Sequence, residues 1–86
     1  MTPDSTTTAA EQIELDLRGY KCPIPVLKAR KAFAALDSAF QAQVLVTDPK
    51  APKDFGDFCE LAGYQLAQVE VIDGGHRLVI HSSKES

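Results

Sequence analysis

The chain has 86 residues, a formal net charge of −3, 44% hydrophobic and 24% charged residues. That length holds one core and no second domain, and the composition is that of an ordinary globular chain rather than a disordered or fibrous one. The acidic surplus argues against direct binding of nucleic acid, which needs a basic surface, and no apolar run approaches the roughly 20 residues that span a bilayer.

The opening segment, MTPDSTTTAAEQ, has neither the basic n-region nor the apolar h-region of a secretory signal, so a cytoplasmic location is expected. Cys22 and Cys59 stand 37 positions apart without a CxxC pair, which suits a reduced compartment better than a disulfide scaffold. Residues 1–11 lack apolar periodicity and read as a flexible tail ahead of a single domain over residues 12–83.

From Ile13 the pattern alternates apolar and polar through Leu17, the signature of a strand with one buried face. Gly19 turns the chain, and Pro23 and Pro25 fit only the first turn of a helix, so a helix is expected to start at Cys22 or Pro23 and run to about Leu36. Val26, Ala29, Phe33 and Leu36 form its buried stripe, with Lys28 and Lys31 pointing away. Residues 43–47 read as an interior strand, closed by Asp48-Pro49. Pro52 opens a second helix with a stripe of Phe55, Phe58, Cys59 and Ala62, stopped at Gly63. Ala51 ahead of it has no side-chain oxygen to cap it, which leaves Asp48 as the alternative cap. Residues 66–72 and 78–81 read as strands joined through Asp73-Gly74-Gly75. The order β-α-β-α-β-β implies an α+β two-layer sandwich, both helices on one face of a mixed sheet, with Glu14, Asp16, Gln68 and Glu70 on the wetter face.

The chemistry points to Cys22. A thiol at a helix start is expected to be acidified by the unpaired N–H groups there, and Arg18, Lys21, Lys28, Arg30 and Lys31 bring five cations into 14 positions without one acid. On this reading no acid or base stands beside the sulfur. Pro23 and Pro25 are positioning residues for it. Cys59 falls on a buried stripe and is expected to be core rather than a resolving thiol. His76 and His81 do not have the spacing of a zinc site with the cysteines, so no metal and no cofactor is expected. With no base and orienting partner of its own, the thiol suits a carrier better than a self-contained hydrolase or transferase. Lys21, Ile24, Leu27, Lys28 and Lys31 form a small apolar and basic patch beside Cys22, suited to an acidic partner surface.

The run Leu15-Asp16-Leu17-Arg18-Gly19 followed by Cys22-Pro23-Ile24-Pro25-Val26 resembles the CPxP signature of TusA/SirA/YhhP-type sulfur carriers. Thr47-Asp48-Pro49, Asp54, Phe58-Cys59 and Gly63-Tyr64 are similar to that family's second helix and its borders. The resemblance spans about residues 13–82. It implies a fold like the C-terminal domain of initiation factor three, with sheet order 1-2-4-3 and the last strand antiparallel to the rest. It places Asp16 at the family's strand acid, in a structural role. It also implies that Cys22 accepts sulfane sulfur as a persulfide from a cysteine desulfurase or rhodanese-type donor and passes it to an acceptor protein. Transfer RNA thiolation, molybdenum cofactor maturation and sulfur metabolism are the pathways so served. A monomer is expected. The alternative is a small redox-regulated interaction module that transfers no sulfur.

Overall fold

The computed structural model describes residues 11–36 and 39–82. Apart from Glu11, the tail expected over residues 1–11 lies outside the described residues. Six elements follow one another: β1 (Glu11–Asp16), α1 (Ile24–Ala34), β2 (Phe40–Val46), α2 (Ala51–Ala62), β3 (Gln65–Ile72) and β4 (Gly75–Ser82). They form the expected α+β sandwich. The sheet order is β1-β2-β4-β3, with β1 and β2 parallel and β4 antiparallel to both of its neighbours. No helix among the described residues is long and apolar enough to cross a membrane.

The core lies between helices and sheet. Alternate residues of β2, Phe40, Ala42, Val44 and Val46, are buried, as are Leu78 and Ile80 of β4. Pro25, Ala29 and Phe33 of α1 and Ala51, Phe55 and Cys59 of α2 close over them. Pro25 is therefore a core residue as well as a helix-start residue, Val26 and Leu36 only border the core, and Ala62, expected on the buried stripe, is exposed in the last turn of α2. On the opposite face Glu14, Asp16, Gln68 and Glu70 are exposed as expected, and Glu70 pairs across the strands with Arg77 at 3.6 Å.

Several boundaries differ from the expected ones. β1 begins two residues before Ile13 and β2 three residues before Gln43, because pairing with neighbouring strands carries Phe40, Gln41 and Ala42 into the ladder despite their weaker strand pattern. β4 likewise begins at Gly75, where Ile72 and Gly75 close a two-residue Asp73–Gly74 turn and Gly74 takes φ +79°. Gly75 is needed for a different reason: a Cβ there would lie 2.0 Å from the Val46 carbonyl oxygen on the neighbouring strand. Two helix-bearing crossovers join the strands, and the parallel pair β1–β2 sets their two carboxyl ends side by side. Whatever follows β1 must meet whatever follows β2.

Candidate functional site

The segment between β1 and α1 is tied to the end of β2. The Leu17 N–H continues the ladder to the Leu45 carbonyl at 2.8 Å, and Gly19, at φ +89°, donates its N–H to Thr47 Oγ1 at 2.9 Å. The Cys22 N–H then donates to Asp48 Oδ2 at 2.8 Å. A tight turn follows, with the Ile24 N–H bonded to the Lys21 carbonyl at 2.8 Å, and the Cys22–Pro23 peptide is cis. α1 starts only at Ile24, with Pro23 as its cap residue and Pro25 in the first turn. Cys22 therefore precedes the helix by two residues, rather than opening it, and is half-buried.

Its surroundings reverse the electrostatics expected from the local sequence. The Cys22 thiol donates to Asp54 Oδ2, a carboxylate one turn into α2. This hydrogen bond pushes the thiol above its ordinary value; desolvation and the negative charges of Asp54 and Asp48 push the same way, and Lys50 pulls it down. A thiol beside two carboxylates is held protonated, whatever the helix start offers. The five nearby cations are engaged elsewhere or face outward. Arg18 closes a two-pronged contact with Asp16, Nε at 2.8 Å and Nη2 at 2.7 Å, holding the Asp16 carboxyl down at about 2. Lys28 sits over the Tyr20 ring, 4.8 Å from its centre, and Lys21 acts on Asp48. Arg30 borders a shallow cleft with Phe58, Leu61 and Ala62, and Lys31 is exposed.

Asp48 does not cap α2 through its side chain, and α2 has no side-chain cap. Its Oδ1 accepts the Lys50 N–H at 2.8 Å and its Oδ2 the Cys22 N–H, and these two bonds, the Cys22 one first, hold its carboxyl below the usual range. It works as a clamp between the two loops. The structure thus brings Cys22, Asp48 and Asp54 together, with Lys50 nearby. Asp48 and Asp54 are the site residues that local reading of the sequence did not assign. The signal that could have found them is topological: both follow β2, the strand whose carboxyl end a parallel β1 must share.

Of the other expected site residues, Pro23 and Pro25 flank the start of α1. Lys21, Lys28 and Lys31 are exposed, and so are Ile24 (40%) and Leu27 (50%), to which Tyr20 (42%) adds a third large apolar surface. Cys59 is buried in α2 as expected, 2% exposed. His76 and His81 fall on opposite faces of β4, since five positions separate them along a strand.

This arrangement has relatives. The profile of the family described as Sulfurtransferase TusA matches residues 13–82, all of the sheet but the first two residues of β1. The chain belongs to the TusA family. It is 36% identical over 70 residues to the sulfur carrier protein TusA of Allochromatium vinosum, covering 81% of this chain and 92% of that protein. It is also 42% identical over 66 residues to a protein of Neisseria meningitidis serogroup A provisionally designated a sulfur carrier, covering 77% and 89% of the two chains. Among solved structures, a SirA-like protein of Desulfitobacterium hafniense superposes with a TM-score of 0.74 at 32% identity, covering 84% of this chain and 99% of that one. The TusA-family match takes in Cys22, Asp48 and Asp54 alike, so the carboxylates belong to the same matched domain as the thiol.

Proposed function

We propose that this TusA-family chain is a sulfur carrier in which Cys22 accepts a sulfane sulfur as a persulfide and relays it to an acceptor protein. The observation that carries the reading is the single half-buried thiol on the loop joining β1 to α1, anchored through its own N–H to Asp48. The backbone at Cys22 is fixed, while the sulfur sits on a surface loop that a partner protein can approach. A cleft of about 430 Å³ lies at the other end of the sheet, lined by residues such as Phe40, Gln65 and Ser82, so it does not serve the thiol. The donor is a cysteine desulfurase or a rhodanese-type protein. Its sulfur goes on to transfer RNA thiolation, molybdenum cofactor maturation or sulfur metabolism.

Incubating the protein with a cysteine desulfurase and cysteine is expected to add 32 Da to the intact mass of the wild type and nothing to Cys22→Ser. An adduct that survives Cys22→Ser, or no adduct on the wild type, would sink the reading. The alternative, an interaction module that carries no sulfur, draws on the raised thiol, since a protonated cysteine reacts slowly on its own. It predicts no adduct in the same experiment.

Docking is assigned to the patch of Lys21, Ile24, Leu27, Lys28 and Lys31, with Tyr20 extending it. Apolar side chains ringed by cations fit an acidic partner surface, and the cations act mainly on encounter rate. Lys28→Glu with Lys31→Glu is expected to slow loading from the desulfurase about tenfold or more at low salt, with the gap narrowing at high salt. An unchanged rate in stopped-flow or quenched mass measurements would remove these lysines from the docking surface.

A further inference from the structure

We propose that Asp54 is a catalytic residue of sulfur loading, taking the proton from the Cys22 thiol as its sulfur attacks the donor. This inference rests on the carrier reading above and goes beyond it.

A general base must lie within hydrogen-bond reach of the proton it removes. Asp54 Oδ2 already accepts the hydrogen bond from Cys22 Sγ. The neighbouring groups are committed otherwise. Both oxygens of Asp48 accept backbone N–H groups, from Cys22 and Lys50. Asp57, one turn further along α2, pairs with Lys53 at 3.2 Å. The lysines around the site are donors without an acceptor. Among the described residues, Asp54 has the Cys22 thiol as its side-chain hydrogen-bond partner.

The donor presents a persulfide, R–S–SH. As Cys22 Sγ bonds to its outer sulfur, the thiol proton moves to Asp54 Oδ2. The donor's S–S bond breaks, and its electron pair leaves with the inner sulfur as R–S⁻. Cys22 then carries S–SH, and the donor thiolate recovers a proton from Asp54 directly or through water. Sulfane sulfur changes carriers without a change in oxidation state, so no oxidant or reductant is consumed. A thiol held protonated at rest also gains from this arrangement. Its thiolate, when formed, is the more nucleophilic for having a high proton affinity, and the base that forms it is already in place.

Two rates measured across pH 6–10 test the proposal on the full chain. One is alkylation by iodoacetamide, which follows the thiolate present at equilibrium. The other is loading from glutathione persulfide, read as a 32 Da gain. In the wild type, loading is expected to persist at pH 6–7.5, where alkylation has almost stopped. In Asp54→Asn, alkylation at neutral pH should become faster, because the carboxylate that holds the proton is gone. Loading at pH 7 should become slower, by about tenfold or more, and the two pH profiles should coincide. Asp54→Glu should restore part of the separation. If the wild-type profiles already coincide, or if Asp54→Asn loads as fast as the wild type, Asp54 is not the base and the proposal falls alone. If the wild type gains no mass at any pH, the carrier reading falls and takes this step with it.

Discussion

Phe33→Ala is expected to destabilise the protein by about 3–5 kcal/mol, the usual cost of emptying a buried phenylalanine site. Phe33 is 1% exposed at the end of α1 and lies at the centre of an aromatic cluster. Its ring centre is 4.6 Å from that of Phe40, 5.6 Å from that of Tyr64 in an edge contact, and 6.3 Å from that of Phe58. These partners come from β2, from the residue following the α2 cap, and from α2, so one side chain joins three parts of the chain. Phe40 and Tyr64 also touch each other, at 5.4 Å, which props the cavity walls apart and limits collapse around a deletion. A domain of this size has roughly 5–15 kcal/mol in all, and each kcal/mol moves its melting temperature by roughly 4–8 °C. Urea unfolding followed by circular dichroism should show the midpoint falling steeply with little change in slope. A loss under about 1 kcal/mol would mean that the cluster repacks. The cluster lies at the opposite end of the sheet from Cys22, so sulfur uptake by the folded fraction should stay intact.

The same cluster marks what local patterns can and cannot reveal. Phe33 falls on a helical stripe and Phe58 on another, and periodicity alone assigned both to the interior. Phe40 sits before the first strongly strand-like residues of β2, and only the two-sided pairing of that strand shows that it belongs to the ladder. Element order was readable throughout, because prolines mark both helix starts and glycines mark the turns. The sheet order came from the family resemblance.

At the site the limit of local reading is sharper. Cys22 stands out by its neighbours in sequence, and those neighbours are basic. Charge counted along the chain therefore predicts an acidified thiol. The groups that set its proton affinity in the fold are 26 and 32 positions away. Arg18 and Lys28 spend their charge on Asp16 and Tyr20, local partners that a count of cations does not subtract. The parallel pairing of β1 with β2, which no local pattern contains, sets Asp48 and Asp54 beside the thiol.

Alkaline pH should weaken the fold through the other cysteine. Burial in α2 pushes the Cys59 thiol up from 9.0 to about 11. The folded state thus holds this proton more tightly than the unfolded chain does. The resulting stabilisation is fully present below pH 9 and is lost as pH rises toward 11. A displacement of about two pH units corresponds to about 3 kcal/mol, most of which is gone by pH 11. Cys22 is shifted in the same direction, so the comparison belongs in a Cys22→Ser background, with and without Cys59→Ala, under reducing conditions. Urea unfolding at pH 7.5, 9, 10 and 11 should show the Cys59 protein losing its advantage over the Cys59→Ala protein by about 2 kcal/mol across the series. Lysines and tyrosines titrate in both proteins and cancel in the difference. A difference that stays constant with pH would mean that Cys59 ionises no harder than a free thiol, and that α2 opens to admit its charge. The same burial has a chemical consequence at neutral pH. Cys59 remains a protonated, enclosed thiol, held apart from the chemistry proposed for Cys22.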